Sequence, residues 1–169
     1  MDVFLEYIIR HKKNIIDYLI CIAGFLGATV LTVFFTVIGR YLLGLAFPLI
    51  VASWFGAYML MNSRYIEYEY ILTNNELDVD KIYAKRRRKR ILTIDFKNIE
   101  ICAPVGESTY QSDYSNKADI VYDFTGISDF DKYFVDFRKE NKRVRVLFQP
   151  TDKMMESIKS QNPGSVHLL

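Results

Sequence analysis

Residues 18–63 read YLICIAGFLGATVLTVFFTVIGRYLLGLAFPLIVASWFGAYMLMNS, and their single formal charge is Arg40. This arginine separates two uncharged apolar runs of 22 and 23 residues. At a helical rise of about 1.5 Å per residue, either run is long enough to cross the roughly 30 Å hydrocarbon core of a bilayer. Buried helices of soluble proteins seldom stay free of charge over such a length. The sequence therefore predicts two transmembrane α-helices near the N-terminus.

Glycines on both sides of Arg40 mark the turn between these helices, because glycine releases the backbone from helical geometry. Pro48 fits the first turn of the second helix, where its missing N–H costs nothing. These signals place the helices at about 14–39 and 47–63. A re-entrant hairpin is disfavoured because it would leave Arg40 in hydrocarbon, at a cost of about 2.5 kcal/mol or more.

Both apolar runs carry small residues spaced four positions apart, a pattern that lets helix backbones approach closely inside lipid. It predicts that the two helices pack against each other, and the same pattern would also serve a homodimer. The four pairs are Ala23 and Gly27, Gly24 and Ala28, Ala52 and Gly56, and Ser53 and Ala57.

Basic residues flank the outer ends of the predicted hairpin, whereas the turn between the helices offers only Arg40. Because positive charge is retained on the cytoplasmic side, we expect a cell-membrane protein with two spans and both termini in the cytoplasm. A cleaved signal peptide is disfavoured, since its apolar core would be only about 7–15 residues long. The flanking basic residues are Arg10, Lys12, Lys13, Arg64 and Lys81.

After residue 63 the hydrophobic period changes from that of a helix to the alternation typical of β-strands. The clearest case is a hairpin that turns at Thr73-Asn74-Asn75. A last amphipathic helix is predicted over 152–161, with Thr151 as its N-cap. The seven predicted strands are 65–72, 76–83, 91–96, 98–103, 119–123, 132–137 and 143–149.

Two stretches of this part of the sequence resemble bacterial pleckstrin-homology-like (PH-like) domains. Residues 70–77, YILTNNEL, look like the Y-x-L-T-N-x-x-L opening hairpin of that group. Residues 148–152, FQPTD, followed by Met155 and Ile158, resemble its strand-to-helix ending. The resemblance implies an α+β, mainly β fold behind the membrane helices: a seven-stranded antiparallel barrel capped by a C-terminal helix. It also implies a binding or scaffolding module without catalysis.

The expected organisation therefore has three parts. An N-terminal segment with the two-helix anchor occupies residues 1–63, the PH-like domain occupies 64–162, and a tail occupies 163–169. We expect the tail to be frayed from Ser165 onward. Within the domain, the polar residues 104–118 are expected to form a long exposed loop.

Residue types that carry catalysis are scarce in the predicted domain, so we expect no enzyme activity, no catalytic residue and no cofactor. Both histidines, His11 and His167, lie outside it, which argues against a histidine-centred triad or a multi-histidine metal site. Glu67 and Glu69 are expected on the outer, solvent-facing side of a strand. Four aspartates lack the spacing of an EF-hand and are expected in solvated turns, so no metal site is predicted. They are Asp119, Asp123, Asp129 and Asp131.

An uninterrupted run of six basic residues, here called the basic segment, follows the second predicted strand. It has three interpretations: a solvated turn, a contact with anionic lipid headgroups, or a nucleic-acid contact. The anchor favours lipid over nucleic acid, and no aromatic residue interleaves the segment to stack on bases. We expect the segment to form the tip of a loop and to bind lipid or a protein partner. Its members are Lys85, Arg86, Arg87, Arg88, Lys89 and Arg90.

The position of the basic segment departs from that in classical phosphoinositide-binding PH domains, which carry basic residues around the first hairpin turn. Here that turn is Thr73-Asn74-Asn75, and the basic segment lies one loop later. We therefore expect a diffuse surface contact and not a headgroup pocket of the classical type.

The sequence thus predicts a membrane-anchored PH-like binding or scaffolding module at the inner face of the cell membrane. Its expected partners are the lipid bilayer, anionic phospholipid headgroups and an unknown membrane protein, and not nucleic acid. The alternative is a small membrane-complex subunit or homo-oligomer in transport, whose helices carry the function. Conduction paths are lined by polar or ionisable side chains. Apart from their small residues, the two predicted helices contain only a few polar side chains. These are Thr29, Thr32, Thr36 and Ser53.

Overall fold

The computed structural model describes residues 3–41 and 44–168. The helices are α1 (Ile15–Ile38), α2 (Ala46–Ser63), α3 (Gln111–Ser115) and α4 (Asp152–Gln161). The strands are β1 (Phe4–His11), β2 (Ile66–Thr73), β3 (Glu76–Tyr83), β4 (Arg87–Asp95), β5 (Ile99–Pro104), β6 (Ile120–Asp123), β7 (Gly126–Ile127), β8 (Tyr133–Lys139) and β9 (Lys142–Phe148).

The described residues divide into two compact units, and neither unit is one continuous piece of sequence. The chain begins in the sheet unit, leaves it for the helices and returns to it. The helical unit contains residues 13–41, 44–66 and 83–86, and the sheet unit contains residues 3–12, 67–82 and 87–168.

In the helical unit, α1 begins at a capping box. Asn14 Oδ1 accepts a hydrogen bond from Ile15 N at 2.8 Å, and Asp17 Oδ2 accepts the N–H of Asn14 at 3.1 Å. With a 3-10 extension, α1 covers 27 residues at a mean hydropathy of 2.3, and α2 covers 18 residues at 1.2. Both helices are therefore long and apolar enough to span a membrane, as the sequence predicted.

Small residues lie where α1 and α2 meet. Ala28 and Ala57 are the buried residues of the two helices. A Cβ added at Gly24 would come within 3.1 Å of Leu60 Cδ2, so the side chains of α2 pack directly on that glycine. One predicted small-residue pair on each helix thus lies at the contact, which agrees with close backbone approach inside the hairpin.

The other small-residue pair on each helix lies away from this contact. A Cβ added at Gly27 or at Gly56 would meet no atom of the described residues within 4 Å. Their surfaces are therefore open on the outside of the hairpin.

Two sheets make up the sheet unit. One has the strand order β4-β3-β2-β1-β7 and the other has the order β5-β8-β9-β6. The prediction of a closed seven-stranded barrel is wrong, because no ladder joins these two sheets in the described residues. The reason is that β1 and β7 extend the first sheet, while β6 leaves the antiparallel arrangement and pairs in parallel with β9. The mainly β character is as predicted.

Strand β1 was not predicted, because its residues were assigned to the segment before the anchor. It pairs with β2 in antiparallel register from Phe4↔Thr73 to Arg10↔Glu67. Since β1 comes just before α1 and β2 just after α2, the helical hairpin is an insertion in the connection between two paired strands.

The two-residue strand β7 closes the far side of β1. Gly126 pairs with His11, and a Cβ at position 126 would lie 2.3 Å from the backbone oxygen of Arg10. Only glycine allows so close an approach of two backbones. β7 has only two residues and lies between polar residues. The sequence therefore has no alternating apolar and polar pattern there that would have predicted a strand.

The core lies on the inner faces of both sheets and beneath α4. Tyr70 is fully buried, and its hydroxyl donates to the backbone oxygen of Phe124 at 2.8 Å. This bond satisfies the polar end of a large aromatic side chain within the core. The other fully buried large apolar side chains include Ile9, Leu72, Leu77, Ile94, Phe96, Phe134, Phe148, Met154 and Ile158.

The segment predicted as a long exposed loop, residues 104–118, contains a 3-10 turn and the short helix α3. Arg145 holds this segment, since its Nη2 donates to the backbone oxygen of Asp113 at 2.9 Å and its guanidinium lies 5.0 Å from the ring centroid of Tyr114. The segment is thus exposed or half-buried over residues 105–118, as predicted, but it includes two short helical turns that were not predicted.

Residues 165–167 are bonded to strand β5. Val166 is fully buried and forms a parallel bridge with Cys102 of β5. The N–H of Cys102 donates to Ser165 O, and the N–H of His167 donates to Cys102 O, both at 2.8 Å. The expectation of a tail frayed from Ser165 onward is wrong, because these backbone bonds extend the sheet edge.

The insertion of the helices between β1 and β2 predicts that the anchor can be removed without loss of the sheet unit. The last observed pair of the ladder is Arg10↔Glu67, and in a shortened chain the same register, continued by two residues, would put residue 12 opposite residue 65. A chain in which Asn-Gly replaces residues 13–64 should therefore fold without detergent, because Asn-Gly favours a two-residue hairpin turn. Circular dichroism and a cooperative thermal transition in aqueous buffer would measure this.

Residues 65–168 alone are the matched control for this design. They lack β1, so β2 would lose its ladder and expose its edge, which favours aggregation. Equal solubility and equal cooperativity of the two chains would contradict the assignment of β1 to the sheet unit.

Candidate functional site

The basic segment does not form the tip of a loop along its whole length. Its first residues lie in a tight turn, in which Arg86 N donates to Tyr83 O at 3.0 Å. Ala84 and Lys85 have left-handed φ angles of 52° and 57°, as the central residues of a type I′ hairpin turn require. The remaining residues, 87–90, begin strand β4. The predicted loop tip is thus reduced to a two-residue turn followed by an edge strand.

Within the helical unit, this turn is bonded to the chain just after α2. Ala84 N donates to Tyr65 O at 2.8 Å. Lys85 Nζ lies 5.2 Å from the ring centroid of Tyr65, within the range of a cation–π contact. Since α2 ends at Ser63, the first cation of the basic segment lies beside the end of the second apolar helix.

Two arginines of the basic segment are held in ion pairs on the sheet. Arg88 Nη2 lies 2.8 Å from Glu69 Oε1. Arg90 bridges two carboxylates of β3, at 2.9 Å from Asp78 Oδ2 and 3.1 Å from Asp80 Oδ1. Because residues two apart on a strand share a face, Arg88 and Arg90 lie on the same side of β4 as each other.

The other three cations have no ion-pair partner among residues 3–41 and 44–168, and we call them the unpaired cations. Two of them alternate with Arg88 and Arg90 along β4 and therefore lie on the opposite face of that strand. All three are exposed. The unpaired cations are Arg86, Arg87 and Lys89.

Glu69 is completely buried, so the expectation that it is solvent-facing is wrong. It does lie on the outer face of β2, opposite Ile8 of β1, but neighbouring side chains cover it. Its Oε1 accepts from Arg88, whereas its Oε2 has no hydrogen-bond donor among the described residues. A buried carboxylate oxygen without a donor is costly when the group is ionised.

The pKa of Glu69 is raised to about 7. Burial is the largest cause, because it disfavours the charged form. A hydrogen bond with the Glu6 carboxylate and repulsion from Glu6 and Asp80 raise the pKa further, against the attraction of Arg88. Glu69 therefore changes its charge close to neutral pH.

A second charged cluster lies on the four-stranded sheet, and its members form ion pairs and hydrogen bonds with one another. Asp136 is completely buried and accepts from Arg145 Nε at 2.7 Å and from Arg143 Nη2 at 2.8 Å. Arg145 also holds α3, as described above. This arrangement stabilises the fold and leaves no free group for a ligand.

Two of the four aspartates that could have gathered around a cation accept backbone hydrogen bonds instead. Asp119 Oδ2 accepts from Arg143 N at 2.8 Å, and Asp123 Oδ1 accepts from Thr125 N at 2.9 Å. In the part of the chain that the structure describes, no group of three or more histidine, cysteine or acidic side chains is placed to hold a metal ion.

Sequence reasoning thus located the basic segment but not its division into paired and unpaired cations. The alternation of acids in β2 and β3 gave a partial signal, since Asp78 and Asp80 match the spacing of Arg88 and Arg90. The burial of Glu69 had no such signal, because it depends on the unpredicted strand β1.

Comparison with protein families gives one match. A family model described as a bacterial PH-like domain (DUF6106) matches residues 1–168. The matched range includes β1 and both helices, so the family description covers the inserted hairpin together with the sheets. No curated protein and no solved structure gives a significant match to the chain.

The raised pKa of Glu69 predicts a pH dependence of stability. Because the pKa is raised from 4.5 in the unfolded chain to about 7 in the folded protein, the native state binds more protons between these values. The stabilising contribution of the protonated form is present at low pH and is lost as pH rises through about 7. Thermal unfolding of the detergent-solubilised chain, followed by circular dichroism, should therefore show a midpoint that falls from pH 5.5 to pH 8.

Glu69→Gln should flatten this part of the profile, because glutamine stays neutral throughout. Glu76→Gln is the matched control, since Glu76 is an exposed residue on the adjacent strand β3. An unchanged slope in Glu69→Gln would show that another group is responsible.

Proposed function

The chain belongs to the bacterial PH-like domain family, and we propose that it is a membrane-anchored PH-like binding module at the inner face of the cell membrane. Helices α1 and α2 form the anchor, and the basic segment contacts anionic phospholipid headgroups. No enzymatic activity is part of this proposal. The observation that carries it is that the turn with Lys85 and Arg86 is hydrogen-bonded to the chain two residues after α2.

The distribution of charge supports the inner face. The flanks of the helical hairpin carry Arg10, Lys12, Lys13 and Arg64, whereas the turn between the helices carries Arg40. Positive residues are retained in the cytoplasm during insertion. The pairing of β1 with β2 keeps both flanks on one side. The sheet unit and both termini are therefore proposed to be cytoplasmic.

Lys85 and Tyr65 have the chemistry of a membrane–water interface. Tyrosine rings concentrate at the level of the headgroups, and lysine can lie along apolar surface while its ammonium reaches the polar layer. Lys85 is held in a left-handed conformation, which costs about 1–2 kcal/mol for a residue with a side chain. Glycine would relieve this cost, so the presence of lysine supports a contact function for the turn.

Only part of the basic segment is proposed to touch lipid. Arg88 and Arg90 are held by carboxylates, which leaves Lys85 and the unpaired cations for the contact. Each basic residue near an anionic leaflet contributes about 1 kcal/mol of attraction. A contact of this kind depends on charge and needs no shaped pocket, in line with the expectation of a diffuse surface.

A protein partner is the other class of ligand that these cations would suit, provided that it presents an acidic surface. The open positions Gly27 and Gly56 would likewise suit a second helical hairpin, as in a homodimer. The acidic protein partner is an outcome of the experiment below, which compares it with lipid contact.

The transport alternative has less support, because the hydroxyls of the helices are already bonded. Thr29, Thr36 and Ser53 donate to backbone oxygens of their own helices at 2.7–2.9 Å. Thr32 does the same and also accepts from Trp54 Nε1 at 2.9 Å, which links α1 to α2. These groups therefore hold the hairpin together, whereas the lining of a conduction path would need free polar groups.

The single tryptophan provides a direct test on the full chain. Trp54 lies in α2 about 15 Å before Arg64 along the helix, at a depth that brominated acyl chains reach. In reconstituted vesicles, its quenching by brominated phosphatidylglycerol should exceed that by brominated phosphatidylcholine. We expect a relative association constant several-fold above one, falling with added salt because screening weakens the attraction.

The triple variant Arg86→Ser, Arg87→Ser, Lys89→Ser should bring this ratio close to one. The matched control removes three exposed lysines of the sheet unit, Lys139, Lys142 and Lys153, and should keep the ratio of the wild type. A ratio of one in the wild type, or an unchanged ratio in the triple variant, would remove lipid contact from the proposal. The basic segment would then be a solvated turn or a docking site for an acidic protein.

A further inference from the structure

We infer that a proton shared between Glu69 and Glu6 sets the charge of the basic segment and makes its contact with anionic lipid depend on pH. The inference rests on the proposed function and adds regulation to the same surface. It starts from three structural facts about Glu69: complete burial, an oxygen without a donor, and a bond to a member of the basic segment.

The first step concerns the place of the proton. Glu6 is the diagonal cross-strand neighbour of Glu69, because Ile8, two residues along β1 on the same face, pairs with Glu69. Two carboxyl groups in this position can bond to each other only through a proton that they share, and Glu6 is one of the causes that raise the pKa of Glu69. The unsatisfied Oε2 of Glu69 is explained if this proton is present, since the group then donates a hydrogen bond and avoids a buried charge. Glu6 itself is exposed, so the proton can pass between the pair and bulk water.

The second step concerns the charges that face Glu69 from each neighbouring strand. Glu6 of β1 and Asp80 of β3 are acidic and favour the protonated form. Arg88 of β4 is basic and favours the ionised form. Glu67 lies two positions away on β2 itself, and Arg90 shields Asp80 through its own ion pair. Acidic neighbours and burial together outweigh the single arginine, so the pair holds its proton up to about neutral pH.

The third step links this proton to the lipid contact. When Glu69 is ionised, its charge compensates Arg88 across 2.8 Å. When Glu69 is protonated, the bond to Arg88 loses its ionic part, and the basic segment gains one uncompensated positive charge. The side chain of Arg88 is 55% exposed, so its charge is felt outside the protein. Lower pH therefore strengthens the attraction to an anionic leaflet.

Quenching of Trp54 by brominated lipids between pH 5.5 and pH 8.5 tests this inference on the full chain. Phosphatidylglycerol suits the experiment, since its phosphodiester stays ionised throughout. In the wild type, the preference for phosphatidylglycerol over phosphatidylcholine should rise as pH falls through about 7. The expected rise is up to about fivefold, the ratio for one added cation near an anionic leaflet.

Two variants assign the change to the carboxyl pair. Glu69→Gln should hold the preference at its low-pH value across the range. Glu6→Gln should move the midpoint to lower pH, because it removes the acidic neighbour that favours protonation. Histidines also ionise in this range, so His11→Gln and His167→Gln are the controls and should leave the profile of the wild type intact.

The outcomes separate this inference from the proposed function. A preference for phosphatidylglycerol that does not vary with pH would overturn the inference and leave the lipid contact standing. A pH-dependent preference that persists in Glu69→Gln would overturn it by showing that another group titrates. No preference at any pH would remove the proposed contact itself.

Discussion

The antiparallel pairing of β1 with β2 is the constraint on which the rest of the structure depends. Seven residue pairs, from Phe4↔Thr73 to Arg10↔Glu67, join segments that are separated in sequence by both apolar helices. Because of this pairing, the hairpin of α1 and α2 is an insertion within one sheet. The pairing also completes the sheet unit, supplies the strand on which β7 closes, and brings Glu6 to Glu69.

The same pairing organises the charges. By adding a strand beside β2, it encloses Glu69 between carboxylates and Arg88, so that one arginine of the basic segment is tied to the sheet. Arg90 is tied in the same way by Asp78 and Asp80. The unpaired cations are the members of the basic segment that no carboxylate of the described residues holds in this way. Within β4, the two-residue period of a strand puts the paired Arg88 and Arg90 on one face and Arg87 and Lys89 on the other, while Lys85 and Arg86 lie in the preceding turn.

How much the sequence could predict follows from how local each signal is. The length of an uncharged apolar run predicts a long helix, and the alternation of apolar and polar residues predicts a strand. Both signals lie within one short stretch of sequence, so both helices and most strands were predicted within a few residues. The role of β1 could not be predicted in this way, because its partner β2 lies beyond the helical hairpin in the sequence. The basic residues at its end, such as Arg10 and Lys12, also match the pattern of a charged flank before an apolar helix. The burial of Glu69 and the open, two-sheet arrangement depend on that same non-local pairing.

Cysteine labelling of intact cells tests the central claim, a two-span anchor that holds the sheet unit at the inner face. The chain would carry a single cysteine, at position 40 or at position 116, after replacement of Cys21 and Cys102 by alanine. A membrane-impermeant maleimide should label Arg40→Cys in intact cells and should label Asn116→Cys only after the membrane is opened. Labelling of Asn116→Cys but not of Arg40→Cys in intact cells would place the sheet unit outside and contradict the account.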